Sequence, residues 1–103
     1  MSYATPHSIM RFIERVDIDL PRKKKQRDKI INNYLKKAYN NGTLIHNIKD
    51  AQLKSYMLHK LKNDYHVIKA NRITLYNNNI FLFINRQCIT VLNIPDEIKA
   101  QDD

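Results

Sequence analysis

The sequence predicts an α+β fold, two or three helices followed by a three- or four-stranded antiparallel sheet. Three observations carry this. Before Asp64 the apolar residues recur at helical spacing; after it they form short β-branched and aromatic runs; and "NNN" and "NR", which read as tight turns, divide those runs. The 103 residues, 43% of them hydrophobic, suit one domain over 1–103 with one modest core, and 96–103 reads as a solvated, frayed tail.

Thr5 before Pro6 is a helix start, a capping hydroxyl ahead of a proline whose missing N–H is not needed there. The spacing predicts a helix over Pro6 to Val16 that buries Ile9, Phe12, Ile13 and Val16, and "DIDLP" breaks it. Pro21 suits the first turn of a second helix, whose apolar positions Ile30, Ile31, Tyr34, Leu35 and Ala38 recur until Gly42 terminates it. Leu53, Met57, Leu58 and Leu61 predict a shorter third helix between Ile48 and Lys62, capped near Asp50. "YHVIKA", "RITLY", "IFLFI" and "QCITVL" then read as a meander. Both faces of Ile80 to Ile84 are apolar, so that strand is expected to be central and covered by helices on at least one side. Ile31, Leu35, Phe81 and Phe83 are expected core residues.

Eighteen Lys and Arg against ten Asp and Glu leave a formal charge of +8, which favours a polyanionic partner, RNA or another nucleic acid before all. No segment approaches the roughly 18 to 20 apolar residues a membrane span needs, so no membrane is expected. The N-terminus has no basic region followed by a long apolar stretch, and the single Cys88 has no partner for an internal disulfide; a cytoplasmic setting is the natural expectation. Gly42 is the only glycine, which removes Gly-rich loops for ATP, GTP or dinucleotides, and no spacing resembles a metal motif. No cofactor and no metal are expected. Cys88, inside an apolar strand, reads as inert packing.

His7, Arg11 and Arg15 stand four residues apart in "HSIMRFIER" and share one helix face. An imidazole exchanges protons near neutral pH, and an arginine one turn away can hold a phosphate or a charged transition state. The same row also suits a water-facing surface, with Glu14 as an ordinary ion-pair partner. Arg72, Thr74 and Tyr76 alternate with Ile73 and Leu75 and share a strand face, which Thr90 joins if the register permits. His59 and His66 are alternative proton carriers or, with His46, plain surface or partly buried histidines. Arg22, Lys23, Lys24, Lys25, Arg27 and Lys29 crowd the start of the second helix, where the macrodipole disfavours cations by a few tenths to about 1 kcal/mol each. That cost points to a nucleic-acid-binding surface, although a solvated lysine-rich face fits as well.

The order "HSIMRFIER", then helices, then a meander ending "CITVLNIP" resembles small toxin-like proteins similar to the barnase, EndoU, colicin and RelE group of metal-independent ribonucleases, including the BrnT-like toxins. The resemblance touches His7, Arg11 and Arg15 at one end and Thr90 at the other. It implies helices packed on a curved antiparallel sheet and RNA cut by attack of its own 2′-hydroxyl. His7 would then act as general acid or base, Arg11, Arg15 and Arg72 would bind the scissile phosphate, and Thr90 would position it. The alternative is a non-catalytic binder, a phage-type regulator or inhibitor acting on nucleic acid or on an acidic protein such as an antitoxin or host factor.

Overall fold

The computed structural model describes residues 2–63 and 69–95, with side chains for 2–60 and 69–95. Three helices, α1 (Pro6–Arg15), α2 (Lys24–Asn41) and α3 (Ala51–Asn63), surround a four-stranded antiparallel sheet of β1 (Thr43–Leu44), β2 (Arg72–Tyr76), β3 (Asn79–Ile84) and β4 (Gln87–Asn93). A single 3₁₀ turn, Ile45–Asn47, follows β1. The strands lie in chain order, so β3 is interior and β4 forms an outer edge.

Caps set the helix starts. The Thr5 hydroxyl accepts from the Ser8 N–H at 3.2 Å while Ser8 Oγ accepts from the Thr5 N–H at 2.8 Å, a reciprocal box that satisfies two orphan donors. Asp50 Oδ1 caps α3 with a single bond, accepting from the Leu53 N–H at 3.0 Å. Helix α2 begins later than Pro21 suggests: Arg22 and Lys23 precede it, and Lys23 stands at the N-cap without a side-chain cap. Its terminator, Gly42, has extended backbone and is required for a different reason. A Cβ there would run into the Ala38 carbonyl oxygen and lie 2.7 Å from Thr74 Cβ, where the end of α2 crosses β2.

Both hairpins turn on two residues with positive φ, Asn77 (46°) with Asn78 (67°) and Asn85 (48°) with Arg86 (72°), the pattern whose twist matches that of the flanking strands. Two apolar clusters result, one on each sheet face. Phe12, Val16, Ile31, Leu35 and Ala38 from α1 and α2 pack against Phe81, Phe83, Cys88 and Val91; Leu53, Met57, Ile45 and Ile48 pack against Leu75, Ile80, Leu82 and Leu92. The interior strand is thus covered on both faces, and Ile31, Leu35, Phe81 and Phe83 are completely buried.

The helical stripes differ from the sequence expectation at their margins. Ile13 is 44% exposed, and the fully buried Ser8 takes the place on the inner face of α1. Leu58 and Ile30 are also exposed, while Leu61 lies outside the described side chains. Of the expected strand "YHVIKA", Tyr65 to Ile68 lie outside the described residues and Ala70 is not in a strand; the fourth strand is instead the short Thr43–Leu44, paired with Thr74 and Leu75. The expected tail from Asp96 onward also lies outside the described residues.

Candidate functional site

Helix α1 is fastened along the outer edge of β4 at both of its ends. At the N-terminal end the Thr5 hydroxyl donates to the Cys88 carbonyl at 2.8 Å, and the Cys88 N–H donates to the Tyr3 carbonyl at 2.8 Å. At the C-terminal end Arg15 Nη1 donates to the Val91 carbonyl at 2.7 Å, and the Asn79 amide, buried at the start of β3, donates to the Arg15 carbonyl at 3.2 Å. Asn32 Oδ1 ties the entering segment to α2 by accepting from the N–H groups of Tyr3 and Ala4 at 2.6 and 3.0 Å. Backbone donors and acceptors that an edge strand would leave open are thereby used to hold a helix.

This clamping turns the His7, Arg11 and Arg15 row into one wall of a cleft of about 390 Å³. Thr90, Leu92 and Asn93 of β4 form its floor, and Lys60 of α3 closes the far side. His7 is exposed, Arg11, Arg15 and Lys60 are half-buried and Thr90 is buried. Three cations therefore line one cleft, Arg11 and Arg15 from α1 and Lys60 from α3. Glu14 offsets Arg11 through a 2.9 Å ion pair on the solvent side, the kind of exposed contact that contributes little. Lys60 is steadied by Tyr56, whose hydroxyl lies 3.3 Å from Nζ and whose ring centroid is 5.7 Å away.

Four of the five residues the sequence singles out for chemistry, His7, Arg11, Arg15 and Thr90, thus line one cleft. Arg72 does not join them. A register shift between Leu82 and Phe83 makes Phe83 pair with Cys88 but Leu82 with Thr90, leaving Ile89 as the extra residue of a bulge. Strict alternation along β4 therefore fails: Cys88 packs with Val91 in one cluster, and Ile89 with Leu92 in the other. Thr90 sits across from Leu82 and Ile73, whereas Arg72, Thr74 and Tyr76 share the opposite face with Phe81 and Phe83. Arg72 lies instead against Tyr39, in a different cavity.

Lys60, Leu92 and Asn93 are the cleft residues that sequence reasoning misses. Lys60 belongs to a helix distant in the chain, and nothing in its neighbourhood marks it as facing position 90. His59 lines a separate depression on α3 with Lys54 and Leu58, His46 lies exposed on the 3₁₀ turn, and His66 is outside the described residues. The basic run is also apart from the cleft: Arg22, Lys23, Lys24, Lys25 and Lys29 are exposed, and Arg27 pairs with Asp28 at 3.0 Å.

Cys88 is fully buried, its thiol pushed up to about 12 by desolvation and only partly offset by hydrogen bonds to backbone. It is a packing residue. Among the described residues no cluster of three or more His, Cys, Asp and Glu side chains could hold a metal ion, and no helix is long and apolar enough to cross a membrane. No family model, no curated protein and no solved structure matches this chain.

Proposed function

We propose that the cleft between α1, β4 and α3 binds a phosphodiester of RNA and that the protein is a small endoribonuclease of the toxin-like kind. One observation carries the reading: a histidine, three cations and a buried threonine from three separate elements converge on a single cleft. Cations held in half-buried positions against a strand edge suit a phosphate better than a solvated surface does, because their field is less screened.

In this reading Arg11, Arg15 and Lys60 hold the scissile phosphate, and the Thr90 hydroxyl fixes its orientation. The ribose 2′-oxygen attacks phosphorus as its proton leaves, the bond to the 5′-oxygen breaks, and that oxygen takes up a proton. A 2′,3′-cyclic phosphate and a 5′-hydroxyl result. His7, at the mouth of the cleft, carries one of the two protons. A positioned general acid or base contributes about 10²- to 10⁴-fold in rate. The attacking hydroxyl belongs to the substrate, so the scheme calls for no metal.

The test is degradation of a mixed RNA pool by purified protein in the presence of EDTA, compared with the His7→Ala variant. Cleavage ending in cyclic phosphates, abolished in the variant with folding and RNA affinity retained, is the expected result. A parent protein that cleaves no RNA, or a fully active variant, overturns catalysis.

The exposed, uncapped start of α2 favours a second reading, a non-catalytic nucleic-acid binder. Strong salt dependence residing in Arg22 to Lys29, with indifference to loss of His7, is its signature.

A further inference from the structure

We propose that a second anion site, separate from the cleft, lies where the β3–β4 turn meets the start of β2 and takes a phosphate group between Arg72 and Arg86. Tyr39, Asn71, Arg72, Asn85 and Arg86 line a cavity of about 550 Å³ there. Its lining contains two positive charges and no carboxylate.

Three features make this a built site. Arg72 is held twice by Tyr39: Nε donates to the Tyr39 carbonyl at 2.9 Å, and the carbon between its nitrogens lies 4.6 Å from the centre of the Tyr39 ring. The ring is itself held by edge contacts with Phe83 at 5.1 Å and a tilted contact with Tyr3 at 5.6 Å. With Nε committed, the terminal nitrogens remain as a pre-oriented fork, and no carboxylate among the described residues pairs with either arginine. A fixed planar fork is what bidentate recognition of phosphate uses.

The second feature is the backbone of Arg86. At φ 72° it occupies the second central position of a two-residue hairpin turn, where glycine is the usual choice and a long side chain is strained. The neighbouring hairpin meets the same demand with Asn77 and Asn78, a residue type that tolerates this conformation. Arg86 thus stands where the turn favours glycine or asparagine, and its side chain lines the cavity.

The third feature holds the turn in place. Asn71 Nδ2 donates to Asn85 Oδ1 at 3.2 Å, the Asn85 N–H donates back to Asn71 Oδ1 at 3.4 Å, and the Asn71 N–H donates to the Phe83 carbonyl at 3.0 Å. The segment that carries Arg72 and the turn that carries Arg86 are thus stapled together, which fixes the spacing of the two backbone positions from which the arginines reach into the cavity.

Titration of the full chain with inorganic phosphate, and separately with a short single-stranded RNA, followed by amide NMR at low salt, tests the site. Shifts at Asn71, Arg72 and Arg86 are expected, and they are expected to survive Arg11→Ala, which keeps this site distinct from the cleft. Saturation by inorganic phosphate identifies a free phosphate as a sufficient ligand; saturation by RNA alone identifies a polynucleotide backbone. Arg86→Gly removes the strain together with the side chain, so it should melt at or above the parent temperature while affinity falls at least tenfold. Arg72→Lys, which keeps the charge and loses the fork, should lose most of the affinity as well. No shift with either ligand, equal binding to polyglutamate, or an Arg86→Gly protein that binds as the parent does would each overturn the proposal.

Discussion

Arg15 Nη1 reaches the carbonyl oxygen of Val91 at 2.7 Å, joining a residue of the first helix to the last strand. The bond does two things at once. It gives an edge-strand carbonyl a charged donor, and it holds the guanidinium against β4 in the wall of the cleft. Arg15→Ala is expected to cost about 1–3 kcal/mol of stability, the range for losing a charge-assisted hydrogen bond. It should also weaken RNA binding. Urea denaturation and an affinity measurement on one preparation check both.

Arg11 separates these effects. Its Glu14 contact is exposed, so Arg11→Ala is expected to change stability by less than about 1 kcal/mol while lowering RNA affinity and cleavage together. A thermal melt beside a cleavage assay reads the difference; a large loss of stability would show that the side chain is structural.

Phe81 lies at the centre of the sheet face covered by α1 and α2 and is completely buried. Phe81→Ala should cost roughly 3–5 kcal/mol, enough to unfold so small a protein or to lower its melting temperature steeply. Circular dichroism against temperature measures this.

Gly42→Ala is expected to destabilise by about 1–3 kcal/mol, because the added methyl meets the Ala38 carbonyl and Thr74 and one of the two segments must move. An unchanged denaturation midpoint would mean that the end of α2 does not approach β2 this closely.

Cys88 makes a pH prediction. Its folded pKa is raised to about 12 from an ordinary value of 9.0, so the folded state holds the proton more tightly than the unfolded state does. This contribution to stability is complete below about pH 9 and is lost as pH rises toward 12, at no more than about 1.4 kcal/mol per pH unit. Denaturation curves between pH 8 and 11 should therefore show a slope for the parent that is shallower in Cys88→Ala. The native thiol should react with a disulfide reagent only after denaturant is added.

The helix starts at Thr5 and Asp50, the hairpins at Asn77 and Asn85 and the apolar strand of Ile80 to Ile84 were all legible in the sequence. Each is decided by groups within a few residues: a hydroxyl or carboxylate beside an open N–H, a residue that tolerates positive φ, a run of side chains with no polar face. The His7, Arg11 and Arg15 row of α1 was legible only as a spacing, with nothing to say whether it met water or a neighbour. Tertiary structure decided that. Clamping α1 to the edge of β4 through Thr5 and Arg15 brought His7 and Arg11 beside Thr90, and packing of α3 on the other sheet face added Lys60. A one-residue bulge at Ile89 kept Arg72 away, since each residue gained or lost in register reverses which face the next side chain takes. Local chemistry sets the elements, but register and packing depend on contacts between residues far apart in the chain, and a sequence pattern with a period of two or 3.6 carries no information about which edge of the sheet a helix will lie against.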